Sequence, residues 1–479
     1  MKNTLFWTER RLPNLTVFKI INSLKASYSS INSDIPSSLL KSASHIYCAH
    51  LTFILQFSLQ YGVFPETWKN SIILPFPKSK TISIDNLRPI SILPNLSKIF
   101  EKTILHYFKA KLYSLYDDRQ FGFRQKSSTQ CALVALHSGI LTSLENTTPM
   151  KTILLSFDLS KAFDLINHDI LITTLYELKL PNFLVNLINN YLQSRTQTVM
   201  FSNTYSKSLP VPSGVPQGSV LGPILFCLYV RSLQAHNPLS SCYKYADDTT
   251  FLLSIPSTFD CNLIINEEIR HVESWCLSKK MKLNSSKTKI LVFNHSPLTS
   301  VPSIHNDFAS HLVSNFTFLG FSISNNLSWS SHINNILKKI SSRLHLLRLL
   351  RHTLSKSQLV NVYFAFIQSI LDYTFPIIFS LPLKEINKIK SQIKRAHRII
   401  CGQQCTSNCL PDFQTRCSNL AYNLFNLVMN DGNHILRQFA PKKSQRSTRI
   451  IIPHSRSQKH LSSYFPQCAI NYNKTKFVT

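Results

Sequence analysis

Two runs of β-forming residues, Cys242–Tyr245 and Thr249–Leu253, are separated only by Ala246-Asp247-Asp248. So short a connection reads as a hairpin, and it puts two carboxylates at the junction of two strands. Well upstream a third run of buried-type composition, Thr152–Phe157, ends directly on Asp158. If the strands are neighbours, the three carboxylates converge. Carboxylates at adjacent strand ends can hold two Mg²⁺ ions roughly 3.5–4 Å apart, the arrangement that phosphoryl transfer to a hydroxyl requires. Aspartate is common in turns for conformational reasons alone, so each residue taken singly carries little and the combination carries the argument.

The rest of the chain mixes helices and strands. Amphipathic stretches and a turn at Ser33-Asp34-Ile35-Pro36 lead into a helical pattern from Ser37 to about Tyr61. A short strand begins at Ile72, and helical spacing covers Lys98–Leu115, Asp169–Leu178, Ile333–Arg351 and Ser355–Leu371. The last ~40 residues read as polar, basic and poorly patterned, and no internal repeat is visible. The fold class is therefore α+β.

Composition narrows the partners. Fifty-two Lys and Arg against 23 Asp and Glu leave a net charge of +29, which an enzyme of small neutral molecules has no need to carry. A polyanion is the inferred partner, nucleic acid ahead of a membrane surface or a ribosome-like assembly. The 479 residues, 44% of them hydrophobic, allow two or three folded domains. Eleven scattered cysteines, and charges where a signal peptide needs an apolar run in Met1–Asn14, predict a reduced intracellular protein of cytoplasm or nucleus. The longest apolar stretches, Leu221–Val230 and Phe375–Leu383, are far short of the ~20 residues that span a bilayer, so no membrane segment is expected.

The string Tyr245-Ala246-Asp247-Asp248, with Phe157-Asp158-Leu159-Ser160-Lys161-Ala162-Phe163-Asp164 before it, resembles the catalytic motifs of reverse transcriptases. Between them, Ser213-Gly214-Val215-Pro216-Gln217-Gly218-Ser219 and the helical run Leu221–Leu233 match that family's template- and nucleotide-positioning motif. Asn86-Leu87-Arg88-Pro89-Ile90-Ser91 through Lys98–Lys102, then Gln120-Phe121-Gly122-Phe123-Arg124 with Ser127-Ser128-Thr129, resemble the fingers of non-LTR (LINE-type, jockey- or CR1-like) retrotransposon enzymes in particular. Trp275, Leu283-Asn284, Lys287-Thr288, Phe318-Leu319-Gly320, Trp329 and His332 continue the match.

The resemblance implies a right-hand polymerase: a helical lead-in over 1–57, fingers and palm over 58–324, a helical thumb over 325–400 and a basic region over 401–479, the palm an antiparallel sheet backed by helices. It implies addition of deoxynucleotides to a primer 3′ end on an RNA template, the element's own RNA included, with two Mg²⁺ ions or Mn²⁺ in their place. Asp158 and Asp247 would be metal ligands, Asp248 their support and the carbonyl of Leu159 a further ligand. Arg88 and Lys78 would face the triphosphate, Phe163 would exclude a ribose 2′-hydroxyl, Gln217 and Gly218 would lie beside the templating pair, and Lys287 would donate a proton to pyrophosphate or contact a phosphate. Basic residues from Lys338 to Arg351 and from Lys388 to Arg398 would track a duplex. The polymerase blocks begin so near Met1 that the family's N-terminal endonuclease is expected to be lacking, leaving nicking to another chain.

Two positions depart from the family pattern: Arg231-Ser232 stand where Asn-Asp is usual, and no glycine precedes Ile35. They leave open a decayed copy that binds nucleic acid without turnover, while the three intact carboxylates favour an enzyme. Telomerases and group II intron maturases share an acidic pair but not the Gln120–Thr129 block. Cys401, Cys405, Cys409 and Cys417 suggest a zinc knuckle of the kind some related elements carry, but their three-residue gaps and the lack of a well-placed histidine predict that they do not bind zinc.

Overall fold

Hydrophobic spacing along the chain resolves into helices packed beside two principal sheets in the computed structural model, which describes residues 12–27, 34–78, 87–293, 311–402, 409–445 and 449–476. Ser33, Asn86 and Cys405 lie outside the described residues. Contacts divide the chain into two units, each built from separate stretches: Met1–Phe123, Leu159–Gln234 and His271–Asn284 in the first, Arg124–Asp158, Ala235–Arg270 and Ser285–Thr479 in the second.

The first unit opens with Asn14–Asn22 (α1). The pattern that predicts one helix from Ser37 gives two, Ser37–Ser42 (α2) and Ser44–Tyr61 (α3), because Ala43 at φ −109° and ψ 27° leaves helical geometry. Leu51, Leu55 and Leu59 form the buried stripe of α3, and Gly62 ends it at φ 69°, a left-handed conformation glycine takes without strain. Strands Asn70–Pro77 (β1) and Leu87–Ile92 (β2) then pair antiparallel, and Asn95–Ser114 (α4) follows.

The chain next supplies Thr129–Leu144 (α5) and Met150–Phe157 (β3) to the second unit. It re-enters the first unit with Leu159–Ser160 (β4), His168–Glu177 (α6), Asn182–Leu192 (α7), Thr196–Phe201 (β5), Thr204–Tyr205 (β6), Leu209–Pro210 (β7) and Gly222–Tyr229 (α8). The sheet of the first unit runs β2-β1-β5-β6, with β7 also on β5, and it is mixed, because β1 pairs parallel to β5 with Asn70 opposite Thr196.

Ser240–Tyr245 (β8) and Asp248–Pro256 (β9) belong to the second unit, and after Cys261–Ser278 (α9) and Lys282–Leu283 (β10) comes Lys289–Val292 (β11). Its sheet, ordered β11-β3-β9-β8, is antiparallel throughout. Helix α5 lies against it, starting where Ser128 Oγ accepts the Cys131 amide at 3.3 Å. The approach is close at Gly139, where a Cβ would stand 2.6 Å from Tyr243 Oη and 2.9 Å from Leu252 Cδ2. A hairpin, Asn315–Phe318 (β12) and Phe321–Ser324 (β13), leads to the helices Ser330–Leu350 (α10), Lys356–Tyr363 (α11), Ser369–Tyr373 (α12), Leu383–Cys401 (α13) and Phe413–Asn430 (α14).

The chain's end is more ordered than its composition suggests. Gln458–Leu461 (α15) and Tyr464–Lys476 (α16) are helical, with Tyr464, Phe465, Cys468, Ala469 and Tyr472 buried and Tyr464 Oη donating to the Ala421 carbonyl at 2.8 Å. Those five positions make one helical stripe inside an otherwise polar sequence.

His137 is buried in α5, edge-on to Trp329 with ring centroids 5.4 Å apart. Burial, and secondarily the charge of His460, lowers its pKa to about 4. An unfolded histidine takes a proton near pH 6.5 while this one does not, so stability is full above about pH 6.5 and falls as pH drops towards 4, by roughly 3 kcal/mol for this one group. Urea unfolding across that range is expected to show the slope. In His137→Leu it should lose about one proton's worth, leaving the contribution of His332, which burial and then Lys339 also lower to about 4.

Candidate active site

Strand register assembles the acidic cluster. Tyr245 pairs with Asp248, so the connection between β8 and β9 is the two residues Ala246-Asp247, tighter than the three-residue turn expected from the sequence. Ala246 takes φ 56°, the left-handed first position that such a tight turn uses, at a cost of about 1 kcal/mol for a residue with a Cβ. On the other edge of β9, Phe157 pairs with Thr249, and one further step in that antiparallel register sets Asp158 beside Asp248. Thr152, Ile153, Leu154, Leu155 and Phe157 of β3, and Thr249–Leu253 of β9, are buried, so the cluster stands on a packed sheet that fixes its strand ends.

Burial first, then the negative charges of Asp247 and Asp158, push the Asp248 carboxyl up to about 6, while Lys287 pulls it down. Asp248 keeps a solvent-exposed face, which moderates that repulsion. Lys287 Nζ lies 3.1 Å from Asp158 Oδ2, an ammonium held against the cluster. Three crowded carboxylates with a cation drawn to them are the donor set a divalent ion takes. Among the described residues the three carboxylates do not each bring an oxygen within 4.8 Å of the other two.

In the first unit the loop Ser213–Ser219 is docked on β2. The Ser91 amide donates to the Gln217 carbonyl at 2.7 Å, and Gly218, at φ 126°, comes so close that a Cβ there would stand 2.6 Å from the Ser91 carbonyl oxygen. Gln217 Nε2 donates to Asp164 Oδ1 at 2.9 Å, and Gly214 packs on the backbone of the same aspartate, 2.8 Å from its carbonyl oxygen to a Cβ built on the glycine. Burial raises the Asp164 carboxyl above its ordinary range, against the hydrogen bond from Gln217 and the charges of Lys161 and Lys78. Phe163 stacks on Phe226 with centroids 4.5 Å apart and planes 15° apart, and meets Phe123 edge-on. Lys78 and Arg88 are exposed at the open ends of β1 and β2.

Glu101 of α4 is the hidden support of this loop. Its carboxylate accepts the Val220 and Leu221 amides at 2.6 and 3.0 Å, at the start of α8, and a bond from Ser97 Oγ at 3.1 Å. Burial raises its carboxyl, opposed by those amides and by the buried Arg195.

A family model described as "Reverse transcriptase (RNA-dependent DNA polymerase)" matches residues 76–323, over half of the chain. The chain belongs to the reverse transcriptase family. Among its relatives, the RNA-directed DNA polymerase from mobile element jockey of Drosophila melanogaster is 29% identical over 369 residues, 74% of this chain and 40% of that protein. The probable RNA-directed DNA polymerase from transposon BS of the same fly is 28% identical over 313 residues, 62% of this chain and 34% of that protein. The chain thus spans at most about 40% of the length of these relatives. A solved apo telomerase from Candida tropicalis matches with a TM-score of 0.40 at 13% identity, over 88% of this chain and 75% of that one, too distant a likeness to argue from.

For this reverse transcriptase chain, the structure gathers Asp158, Asp247, Asp248 and Lys287 in the second unit, and Lys78, Phe163, Gln217 and Gly218, with Arg88 on the adjoining strand, in the first. Leu159 is buried in β4, opposite Leu283 of β10. The departure at Arg231-Ser232 is accommodated locally, for Ser232 Oγ accepts the Trp275 indole N–H at 3.0 Å. Trp275 and Trp329 are both buried core residues. Sequence reading assigned no role to Glu101 or Asp164, although both lie inside quoted motifs. A glutamate on an apolar helix face is the signal that could have found Glu101, because such a residue needs buried donors.

Proposed function

We propose that this chain is the RNA-directed DNA polymerase of a non-LTR retrotransposon, adding deoxynucleotides to a primer 3′ end on an RNA template. The observation that carries the reading is the register that sets Asp158 beside the Asp247-Asp248 turn inside the matched segment. Its family depends on divalent metal, and we assign two Mg²⁺ ions, Mn²⁺ substituting, to Asp158 and Asp247, with Asp248 supporting and the Leu159 carbonyl as a further ligand. When bound, these ions activate the primer hydroxyl and stabilise the leaving pyrophosphate.

The remaining roles fall to side chains. Arg88 offers a guanidinium fork for two phosphate oxygens and Lys78 a point charge, both exposed for a triphosphate. Phe163, fixed by its stack on Phe226, presents a flat apolar wall against a ribose 2′-hydroxyl. Gln217 and Gly218 sit where only a glycine admits the chain's close approach to β2, and so give the templating pair a rigid floor. To Lys287, which pairs with Asp158, we assign proton donation to pyrophosphate or a phosphate contact. Exposed Lys338, Lys339, Arg348, Lys394, Arg395 and Arg398 suit phosphate contacts that carry no sequence preference, whereas Lys388 and Lys390 are engaged by Glu385 and Asp412.

Primer extension on poly(rA)/oligo(dT) with dTTP and Mg²⁺ tests the reading. The wild-type chain is expected to extend the primer only with the metal, and Asp247→Ala to lose extension. A folded, RNA-binding wild-type chain that extends nothing would make it a nucleic-acid-binding remnant instead.

A further inference from the structure

At the C-terminal end of α13, His397 and Cys401 lie one turn apart on the same helix face, the i and i+4 spacing that brings two side chains to one point. Cys401 is the last helical residue, and Gly402 turns the chain away at φ 76°. Cys409 returns to this point just before Asp412 caps α14. One ligand atom from each of the three residues lies within 4.8 Å of the other two. The two sulfurs are 3.0 Å apart, and each of the three side chains is half-buried, so a metal can enter from solvent.

The expectation that these cysteines bind no zinc rests on their three-residue gaps and on the lack of a well-placed histidine among them. The histidine lies before them. A turn of helix replaces the short loop of the usual knuckle, and Cys409, eight positions after Cys401, supplies the second thiolate. Cys417, the other candidate of the sequence pattern, is buried in α14 beside Thr374 and the Leu371 carbonyl.

We propose that His397, Cys401 and Cys409 form a zinc site outside the polymerase centre, with the fourth tetrahedral position left to solvent. Two thiolates and an imidazole are the borderline-soft donors that select zinc over the hard Mg²⁺ of the acidic cluster. Thiolates about 2.3 Å from a tetrahedral zinc stand roughly 3.8 Å apart, so the sulfurs need to open by under about 1 Å. A disulfide requires the opposite movement, to about 2.05 Å, and none of the ten cysteines among the described residues is bridged. The ion would fasten the end of α13 to the lead-in of α14, both within the second unit. The inference does not depend on the polymerase reading.

The test uses the full chain, purified with reductant, stripped by chelator and titrated with Co²⁺. One equivalent is expected to give the visible d–d bands of a tetrahedral cobalt centre with thiolate-to-metal charge transfer, and one equivalent of Zn²⁺ to bleach them and raise the thermal midpoint. Cys401→Ser and Cys409→Ser should abolish the bands, His397→Ala should weaken Co²⁺ binding at least about tenfold, and Cys417→Ser should change none of this while showing that the fold tolerates thiol loss. Circular dichroism of each variant keeps misfolding apart from ligand loss. Absence of the bands in the folded wild type would overturn the proposal. So would a mass two hydrogens lighter with a Cys401–Cys409 cross-linked peptide persisting in mild reductant, which would make the pair a redox couple.

Discussion

Asp158→Asn is expected to slow single-turnover primer extension by at least about a thousandfold, roughly 4 kcal/mol of transition-state stabilisation, while leaving the protein folded. The substitution keeps the side chain's shape at the end of β3 and removes the charge that register sets beside Asp248. What it costs the fold is small. The ion pair with Lys287 is lost, but with the lysine 65% exposed such a pair is worth at most about 1 kcal/mol, and the repulsion that Asp158 exerts on Asp248 is lost with it. The thermal midpoint without metal should therefore be unchanged or slightly higher than wild type. The midpoint rise that Mg²⁺ gives the wild type should vanish. Asp248→Asn, which removes the carboxyl pushed up by burial and by both neighbours, should lose less activity, about ten- to a hundredfold, if Asp248 only supports the ligands. Asp158→Asn retaining more than a tenth of the wild-type rate would remove Asp158 from the metal site.

The acidic cluster was legible because each part of it is local. A β-run ending on Asp158 and a minimal gap between two further β-runs are visible in single windows, and the period-two geometry of paired strands does the rest. The turn came out one residue shorter than the sequence suggested because Asp248 still pairs with Tyr245, a choice of register that composition does not encode. Contacts between residues far apart in sequence left no such trace. Ser91 and Gln217 are 126 positions apart, and only the fold shows why Gly218 must lack a side chain. At the chain's end the error was different. The stripe Tyr464, Phe465, Cys468, Ala469, Tyr472 is readable, but Asn, Gln and Lys interleave it and lower the mean hydropathy of the window, so composition hid a packed helix. His397 left no such trace because it precedes the cysteines and meets Cys401 through a helical i, i+4 spacing, not through the short gap of a knuckle.

Glu101→Ala should destabilise the chain by about 3–5 kcal/mol in urea unfolding. Fully buried, the carboxylate accepts two backbone amides 119 and 120 residues away, at the start of α8. Removing it leaves the Val220 and Leu221 amides without their acceptor, strips the helix start of the anion that its dipole favours, and leaves the buried Arg195 guanidinium uncompensated. Glu101→Gln separates these causes, since the amide oxygen can still accept from a backbone N–H but carries no charge against Arg195. It should cost roughly half as much. Adding Arg195→Met to Glu101→Gln should recover part of the loss, because a buried charge left without its counter-charge costs more than an apolar side chain in the same place. The same amides lead directly from Gln217 and Gly218, so at a temperature where Glu101→Gln is still folded its primer extension should show a raised KM for dTTP with kcat changed less. If the double variant were less stable than Glu101→Gln alone, Arg195 would be held by its Tyr191 contacts, at 3.1 Å to the carbonyl and 4.8 Å above the ring, and not by the charge of Glu101.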